Sequence, residues 1–209
     1  MATNDTDVTI CSAALQLLGE NTISSFADGT VQAGICEQLY PDTRDMLLTM
    51  YPWSFSLKKI DLQQSSTDPV NEWTYAYPMP SDSLTLVPRA VFNSSETGAM
   101  PITSGWEILN GELLTNQSII TIDYQARPLE AEMPSYFVQL LKYAMAFHLA
   151  EPVTDQVTKS QNWERIAFGN PIDGGRGGYF RQAASIDGAG HGTMFIGDYP
   201  LIDTRLSLA

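Results

Sequence analysis

Basic side chains are scarce in this sequence. Its 209 residues include 11 Lys and Arg against 24 Asp and Glu, which gives a formal net charge of -13. Proteins that hold nucleic acid by its phosphates need a surplus of Lys and Arg, and so does a polybasic membrane patch. The charge therefore argues against both classes. Seven of the acids lie in residues 1–50, where Arg44 is the only base.

Cysteine and histidine are also few. Cys11 and Cys36 are too few for a disulfide scaffold or a zinc site, and both are predicted to be small core residues of helices. His148 lies on an apolar helix face and is predicted to be a satisfied core or interface residue. His191 lies among glycines, and no Gly-x-Ser-x-Gly elbow accompanies either histidine. We therefore assign no catalytic residue, no metal ligand and no cofactor.

No apolar run is long enough to span a membrane. The longest, Tyr136 to Ala150, is interrupted by Gln139, Lys142 and His148 and falls short of about 20 residues. The N-terminus has no basic segment followed by an apolar one, so no secretory signal is visible. We expect a soluble protein that is made inside the cell and does not contact a membrane.

Helical periodicity occurs in two blocks. Apolar residues at spacings of three and four predict one helix over 6–19, ended by Gly19, and another from Val31 to Met50, which Pro41 must kink or restart. A second block opens at Pro134, breaks at Pro152 and continues to Phe168.

The middle of the chain has the period of strands. Asn110-Gly111 between two apolar runs predicts a β-hairpin over 106–115. Ser83 to Val87 and Ser118 to Gln125 are predicted to add two further strands, whereas residues 61–72 are polar and predict a loop. A small antiparallel meander is the simplest interpretation.

Glycine is concentrated near the end, with nine of the 15 in residues 169–209. Gly174 to Gly178 and Gly188 to Gly192 lack the Lys-Ser/Thr pair of a phosphate loop and are interpreted as linkers. Tyr179 to Ser185 suits a turn or two of helix. We expect residues from about Gly169 onward to form an extended tail that neighbouring molecules order.

These elements predict an α+β fold. A bundle of about four helices holds an inserted small antiparallel β-meander and ends in an extended Gly-rich C-terminal tail. The expected boundaries are 1–60 for the N-terminal helices, 61–131 for the meander, 132–170 for the C-terminal helices and 171–209 for the tail.

Aromatic residues cluster on segments predicted to be loops. Aromatics in weakly charged loops are typical of protein–protein contacts, although they also cover cores. The interface candidates are Trp53, Phe55, Trp73, Tyr75, Tyr77, Tyr179, Phe180, Phe195 and Tyr199.

Two other classes of function stay open. Asp and Glu are numerous enough to supply the carboxylate pair of a carbohydrate-active or lytic hydrolase, although no pattern selects a pair. A cytosolic small-molecule-binding domain is the third class. Composition and pattern alone lead to a soluble α+β protein that oligomerises.

Four short pieces of the sequence occur in a telling order and spacing. These are Ala14 to Glu20 with Ile23 to Phe26, Leu39 to Asp45 leading to Pro52 to Phe55, the Asn110-Gly111 hairpin with the following strand, and Glu132 to Pro134 with the late Gly177 to Tyr179. Taken together, they resemble the tail tubular protein A family of short-tailed phages, and the similarity covers roughly residues 6–182.

The resemblance implies a virion structural protein at the head–tail junction, made in the host cytoplasm and without enzymatic activity. Members of such a family form a twelve-subunit ring whose helical part embraces the portal protein and whose β part faces the tail nozzle. Genomic DNA passes through the lumen without specific binding. An acidic lumen would repel phosphates, so the duplex would slide freely.

Overall fold

The computed structural model describes residues 5–67, 69, 72–96 and 99–190. Within them the chain is a mixed α+β protein of five helices and two small three-stranded antiparallel sheets. The buried apolar side chains form two clusters, a larger one among the helices and a smaller one between the strands. None of the described helices combines the length and the apolar content that crossing a membrane requires.

The five helices all belong to the larger cluster. The third, α3, lies at its centre, because α1, α2, α4 and α5 all pack against it. Nine residues of α3 are buried, as expected for a helix that is covered on several sides. The helices are α1 (Asp7–Leu18), α2 (Val31–Met50), α3 (Ser135–Thr154), α4 (Val157–Phe168) and α5 (Gly178–Gly188).

Capping residues explain where the first two helices begin and end. The Thr6 hydroxyl accepts from the Thr9 N–H at 3.3 Å, and Gly19 ends α1 in the left-handed conformation at φ 79°. The Thr30 hydroxyl accepts from the Ala33 N–H at 3.2 Å and begins α2. The predicted first helix is confirmed.

Two prolines lie inside helices that continue past them, so the predicted break at Pro152 and a restart at Pro41 are wrong. Pro41 lies inside α2, which is a single helix from Val31 to Met50. Because proline has no N–H, the Glu37 carbonyl loses its helical hydrogen bond. Pro41 and Glu37 are both exposed, so water can hydrogen-bond to this carbonyl. Pro152 lies in the last turn of α3, and the break comes at Asp155, which is left-handed at φ 53°.

The strands form two separate sheets, so the predicted single meander is wrong. One sheet has the order β1-β6-β3 and the other β2-β5-β4. The central strand β6 pairs with strands that lie far from it in the sequence, which local periodicity cannot reveal. The bounds are β1 (Leu57–Asp61), β2 (Tyr75–Pro78), β3 (Ala90–Phe92), β4 (Trp106–Leu109), β5 (Glu112–Thr115) and β6 (Thr121–Gln125).

The predicted hairpin is confirmed, and one predicted strand is wrong. Asn110 and Gly111 have φ angles of 53° and 80° and join β4 to β5, as a two-residue turn of type I′ requires. In the segment predicted as a strand over Ser83 to Val87, only Ser83 forms a β-bridge, with Ala126.

The beginning of the predicted tail is helical instead. Residues of α5 pack into the helical core, where Phe180 and Ala183 are buried. The glycines before α5 form a tight turn, in which the Gly177 N–H donates to the Phe168 carbonyl at 2.8 Å. The expectation of an extended tail is therefore corrected for residues 171–190, and residues 191–209 lie outside the described part.

Candidate assembly surfaces

Three of the nine predicted interface residues lie in the cores. Trp53 and Phe180 are buried in the helical cluster, and Tyr77 is buried between the strands. Their polar atoms are satisfied internally, since the Trp53 indole donates to the Leu47 carbonyl and the Tyr77 hydroxyl to the Gln117 carbonyl, both at 2.9 Å. The interface prediction is corrected for these three residues.

Four candidates keep part of their surface exposed. Phe55, Trp73, Tyr75 and Tyr179 are half-buried. Tyr179 packs edge-on against Tyr143 at 5.3 Å between ring centroids, and Tyr143 stacks on Trp163 at 5.6 Å, so this aromatic group joins three helices. The remaining candidates, Phe195 and Tyr199, lie outside the described residues.

A bulge between β2 and β3 presents apolar side chains that the sequence did not single out. The Leu84 N–H donates to the Gln125 carbonyl at 2.9 Å, and the Arg89 N–H donates to the Asp123 carbonyl at 2.7 Å. The acceptors are two residues apart on β6, whereas the donors are five apart. The chain over 85–88, which we call the apolar loop, must therefore bulge away from the sheet.

Internal hydrogen bonds hold the apolar loop in one shape. The Ser83 hydroxyl donates to the Thr85 carbonyl at 2.7 Å, and the Thr85 hydroxyl donates to the Val87 carbonyl at 3.0 Å. Pro88 is buried and anchors the end of the loop. A loop that is already ordered loses less conformational entropy when it binds a partner.

The side chains at the tip of this loop face solvent. Leu86 is 65% exposed and Val87 is 60% exposed. A Leu-Thr-Leu-Val run has the composition of a strand, which is why the sequence predicted one here. A sequence signal for the bulge was Pro88, since proline cannot donate to a ladder and is rare inside paired strands.

A buried amide joins the two parts of the molecule. Gln125, at the end of β6, donates from its side-chain nitrogen to the Leu48 carbonyl at 2.5 Å and the Tyr51 carbonyl at 2.9 Å. It also lies 3.0 Å from the Ser56 hydroxyl. Gln125 thus satisfies carbonyls at the end of α2 that no intrahelical donor reaches.

An ion-pair network lies beside this amide. Arg127 contacts both carboxylate oxygens of Asp45, with a shortest distance of 2.6 Å, and Arg44 contacts Asp45 and Glu130 at 3.0 Å each. Burial alone would raise the pKa of Asp45, but the hydrogen bonds from Arg127 and Arg44 hold it below its ordinary value. The network links α2 to Arg127, which follows β6, and to Glu130, which precedes α3.

The acidic surplus lies partly on the outer face of α2. Glu37 and Asp42 are exposed there, and neither has a basic partner within the described residues. Other acids of the N-terminal segment are paired with distant cations, as in the 3.1 Å contact between Asp5 and Lys142. The exposed face of α2 is therefore negative.

No protein-family model matches this chain, and no curated protein matches it either.

A pocket with a volume of about 500 Å³ lies at one end of the β1-β6-β3 sheet. Lys59 in its wall is paired with Asp123 at 3.0 Å and lies 3.7 Å from the ring centroid of Phe92. Asp61 and Glu96 also line it. Among the described residues, no three potential metal ligands cluster.

His148 does not have the satisfied environment that the sequence predicted. Its ring is half-buried on α3, 4.5 Å from the ring of Phe147, and its Nε2 atom is buried without a hydrogen-bond partner among the described residues. Burial lowers the pKa of His148, so the neutral ring is favoured. The prediction of a satisfied core histidine is therefore wrong, and the alternative of an interface histidine stays a prediction.

Proposed function

We propose that this chain is a head–tail adaptor of a short-tailed phage. In this proposal twelve copies form a ring that joins the portal protein to the tail nozzle, and genomic DNA passes through the ring in the virion. The order of the sequence segments supports it, because they resemble the tail tubular protein A family over residues 6–182.

The apolar loop is the structural observation that carries the proposal. Leu86 and Val87 are exposed on a segment fixed to β6 at both ends, an arrangement typical of a preformed contact surface. The sheet and the helices present separate surfaces that the Gln125 junction holds together. An adaptor needs such a subunit, because it contacts different partners at its two ends.

The acidic surface supports the passage of DNA. A net charge of -13 provides few cations to neutralise phosphates, and the exposed acids of α2 add local repulsion. DNA could then move past the ring without being held.

The portal protein of the same virus provides the test. Purified full-length chain mixed with portal rings is expected to form a twelvefold complex that electron microscopy resolves. A folded chain that fails to bind the portal between low and high salt would overturn the proposal.

Substitution of the loop localises the contact. The L86D/V87D variant is expected to bind its partner at least about 100-fold more weakly, since each of the two aliphatic side chains contributes about 1.5–3 kcal/mol when it is buried. The matched control is V157D, which alters an exposed valine at the start of α4 where an acid is tolerated. Equal binding by L86D/V87D and the wild type would remove the loop from the interface.

A further inference from the structure

Three of the four outer strands of the two sheets are protected against pairing with another chain. The outer edge of β2 receives a hydrogen bond from Ser65 to the Ala76 carbonyl, and that of β3 from Ile102 to the Val91 carbonyl, both at 2.8 Å. The outer strand β1 carries exposed lysines, which disfavour the addition of a strand. The fourth outer strand, β4, carries no lysine, and no residue of the described part donates a backbone hydrogen bond to its outer edge.

The main chain of β4 has groups available for pairing. In a two-residue hairpin, Leu109–Glu112 next to the turn and Glu107–Leu114 are the pairs that exchange hydrogen bonds. The N–H and C=O groups of Trp106 and Ile108 therefore point away from β5. Within the described ranges, no residue hydrogen-bonds to them.

The side chains of β4 specify what kind of strand would fit. Trp106 and Ile108 are half-buried and pack against the sheet core, whereas Glu107 and Leu109 face outward and are exposed. The Glu107 carboxylate accepts from the Trp73 indole at 3.2 Å and has no ion pair with a described basic residue. A matching strand carries apolar side chains at every second position and a cation between them.

Residues 202–208 have this pattern. The sequence Ile-Asp-Thr-Arg-Leu-Ser-Leu alternates apolar or β-branched residues with polar ones, and Arg205 is the only Lys or Arg after Gly190. We propose that residues 202–208 of a neighbouring copy add to β4 as an antiparallel strand, with Arg205 opposite Glu107. Leu206 then lies beside Trp106 and Thr204 beside Ile108.

Residues 191–201 separate the end of the described part from this segment. Eleven residues can extend over at most about 40 Å, so residues 202–208 need not stay beside α5 of their own copy. A segment of one copy that binds an edge of the next makes a heterologous contact, the type that closes rings. The strand exchange therefore rests on the ring assembly in the proposed function, and it is one contact between the subunits of that ring.

Cysteine cross-linking tests the pairing. Glu107 and Arg205 would form a non-hydrogen-bonded pair with Cα atoms about 4.5 Å apart, inside the range of about 4.4–6.8 Å that a disulfide needs. We expect an untagged E107C protein mixed with a tagged R205C protein to give a covalent heterodimer under mild oxidation. The native Cys11 and Cys36 are buried and do not interfere.

An edge on the other sheet provides the control. I60C places a cysteine on exposed β1 and is expected to give little heterodimer with R205C. Equal cross-linking of I60C and E107C would overturn the proposal. An E107C homodimer without the heterodimer would also overturn it, because that result indicates pairing between two β4 strands. A disulfide that forms only within one chain of the E107C/R205C double variant would overturn it as well.

Charge reversal provides a second measurement on the full chain. E107R and R205E are each expected to weaken self-association about 2- to 5-fold, the size of one cross-strand charge pair, and the double reversal is expected to restore it. Portal binding without the heterodimer would refute the strand exchange alone. Heterodimer formation without portal binding would refute the adaptor proposal alone.

Discussion

Trp53 contacts aromatic rings from several parts of the helical core. Its ring centroid lies 4.9 Å from Tyr51, 5.1 Å from Phe137 and 5.7 Å from Phe180. We expect Trp53→Ala to lower the free energy of unfolding by about 3–5 kcal/mol, measured by urea denaturation. Phe55→Ala removes a half-buried ring and is expected to cost less. A near-zero change in Trp53→Ala would contradict the packing.

Tyr136 makes stability depend on alkaline pH. Its hydroxyl donates to Asp187 at 2.5 Å, and burial together with this bond raises the pKa of Tyr136 well above its ordinary value. An unfolded tyrosine titrates near pH 10, so the folded state holds its proton more tightly. This contribution is complete below about pH 10 and is lost as the pH rises from about 10 through the higher pKa of the folded state.

The Tyr136→Phe variant isolates this contribution. It is expected to start less stable at pH 8, because Asp187 loses a donor, and to lose less stability than the wild type between pH 9 and pH 11. Urea denaturation at both pH values measures the difference. Parallel losses in the two proteins would assign the alkaline dependence to other tyrosines, such as Tyr124, whose pKa burial and Asp82 raise to about 12.

At the scale of elements, replacing glycine by alanine is expected to have opposite effects on stability at two positions. A Cβ atom at Gly177 would lie 2.5 Å from the Asp173 carboxylate, whereas one at Gly34 in α2 would meet nothing within 4 Å. Gly177→Ala is expected to destabilise by about 1–3 kcal/mol. Gly34→Ala is expected to stabilise by about 0.5–1 kcal/mol, since alanine is the better helix former. Thermal unfolding of both variants measures the contrast, and the same sign in both would contradict it.

Local chemistry determined which elements the sequence could predict. Gly19, Asn110 and Gly111 adopt positive φ angles that these residue types favour. The end of α1 and the β4–β5 hairpin could therefore be predicted from the residues at those positions alone. The position of β6 between β1 and β3 depends on partners some 30–60 residues away, and no local pattern encodes it. The interface prediction was wrong for Trp53 and Phe180 for the same reason. Their burial depends on packing with α3 and α5, which the local sequence does not show.

At the scale of the whole molecule, like charge opposes assembly. A formal charge of -13 makes copies of the chain repel one another. Salt shortens the Debye length from about 30 Å at 0.01 M to about 8 Å at 0.15 M, so self-association is expected to strengthen over this range. Analytical ultracentrifugation measures it. Dissociation on adding salt would instead indicate that ion pairs dominate the contacts between copies.

The central position of α3 has a consequence for synthesis on the ribosome. Helices α1 and α2 pack mainly against α3 rather than against each other, and about 80 residues separate α2 from α3. At about 5–20 residues per second, the nascent chain waits about 4–16 s before α3 emerges. During that interval the apolar faces of α1 and α2 have no native partner, so the growing polypeptide is most prone to aggregation, and most in need of a chaperone, before the third helix is made.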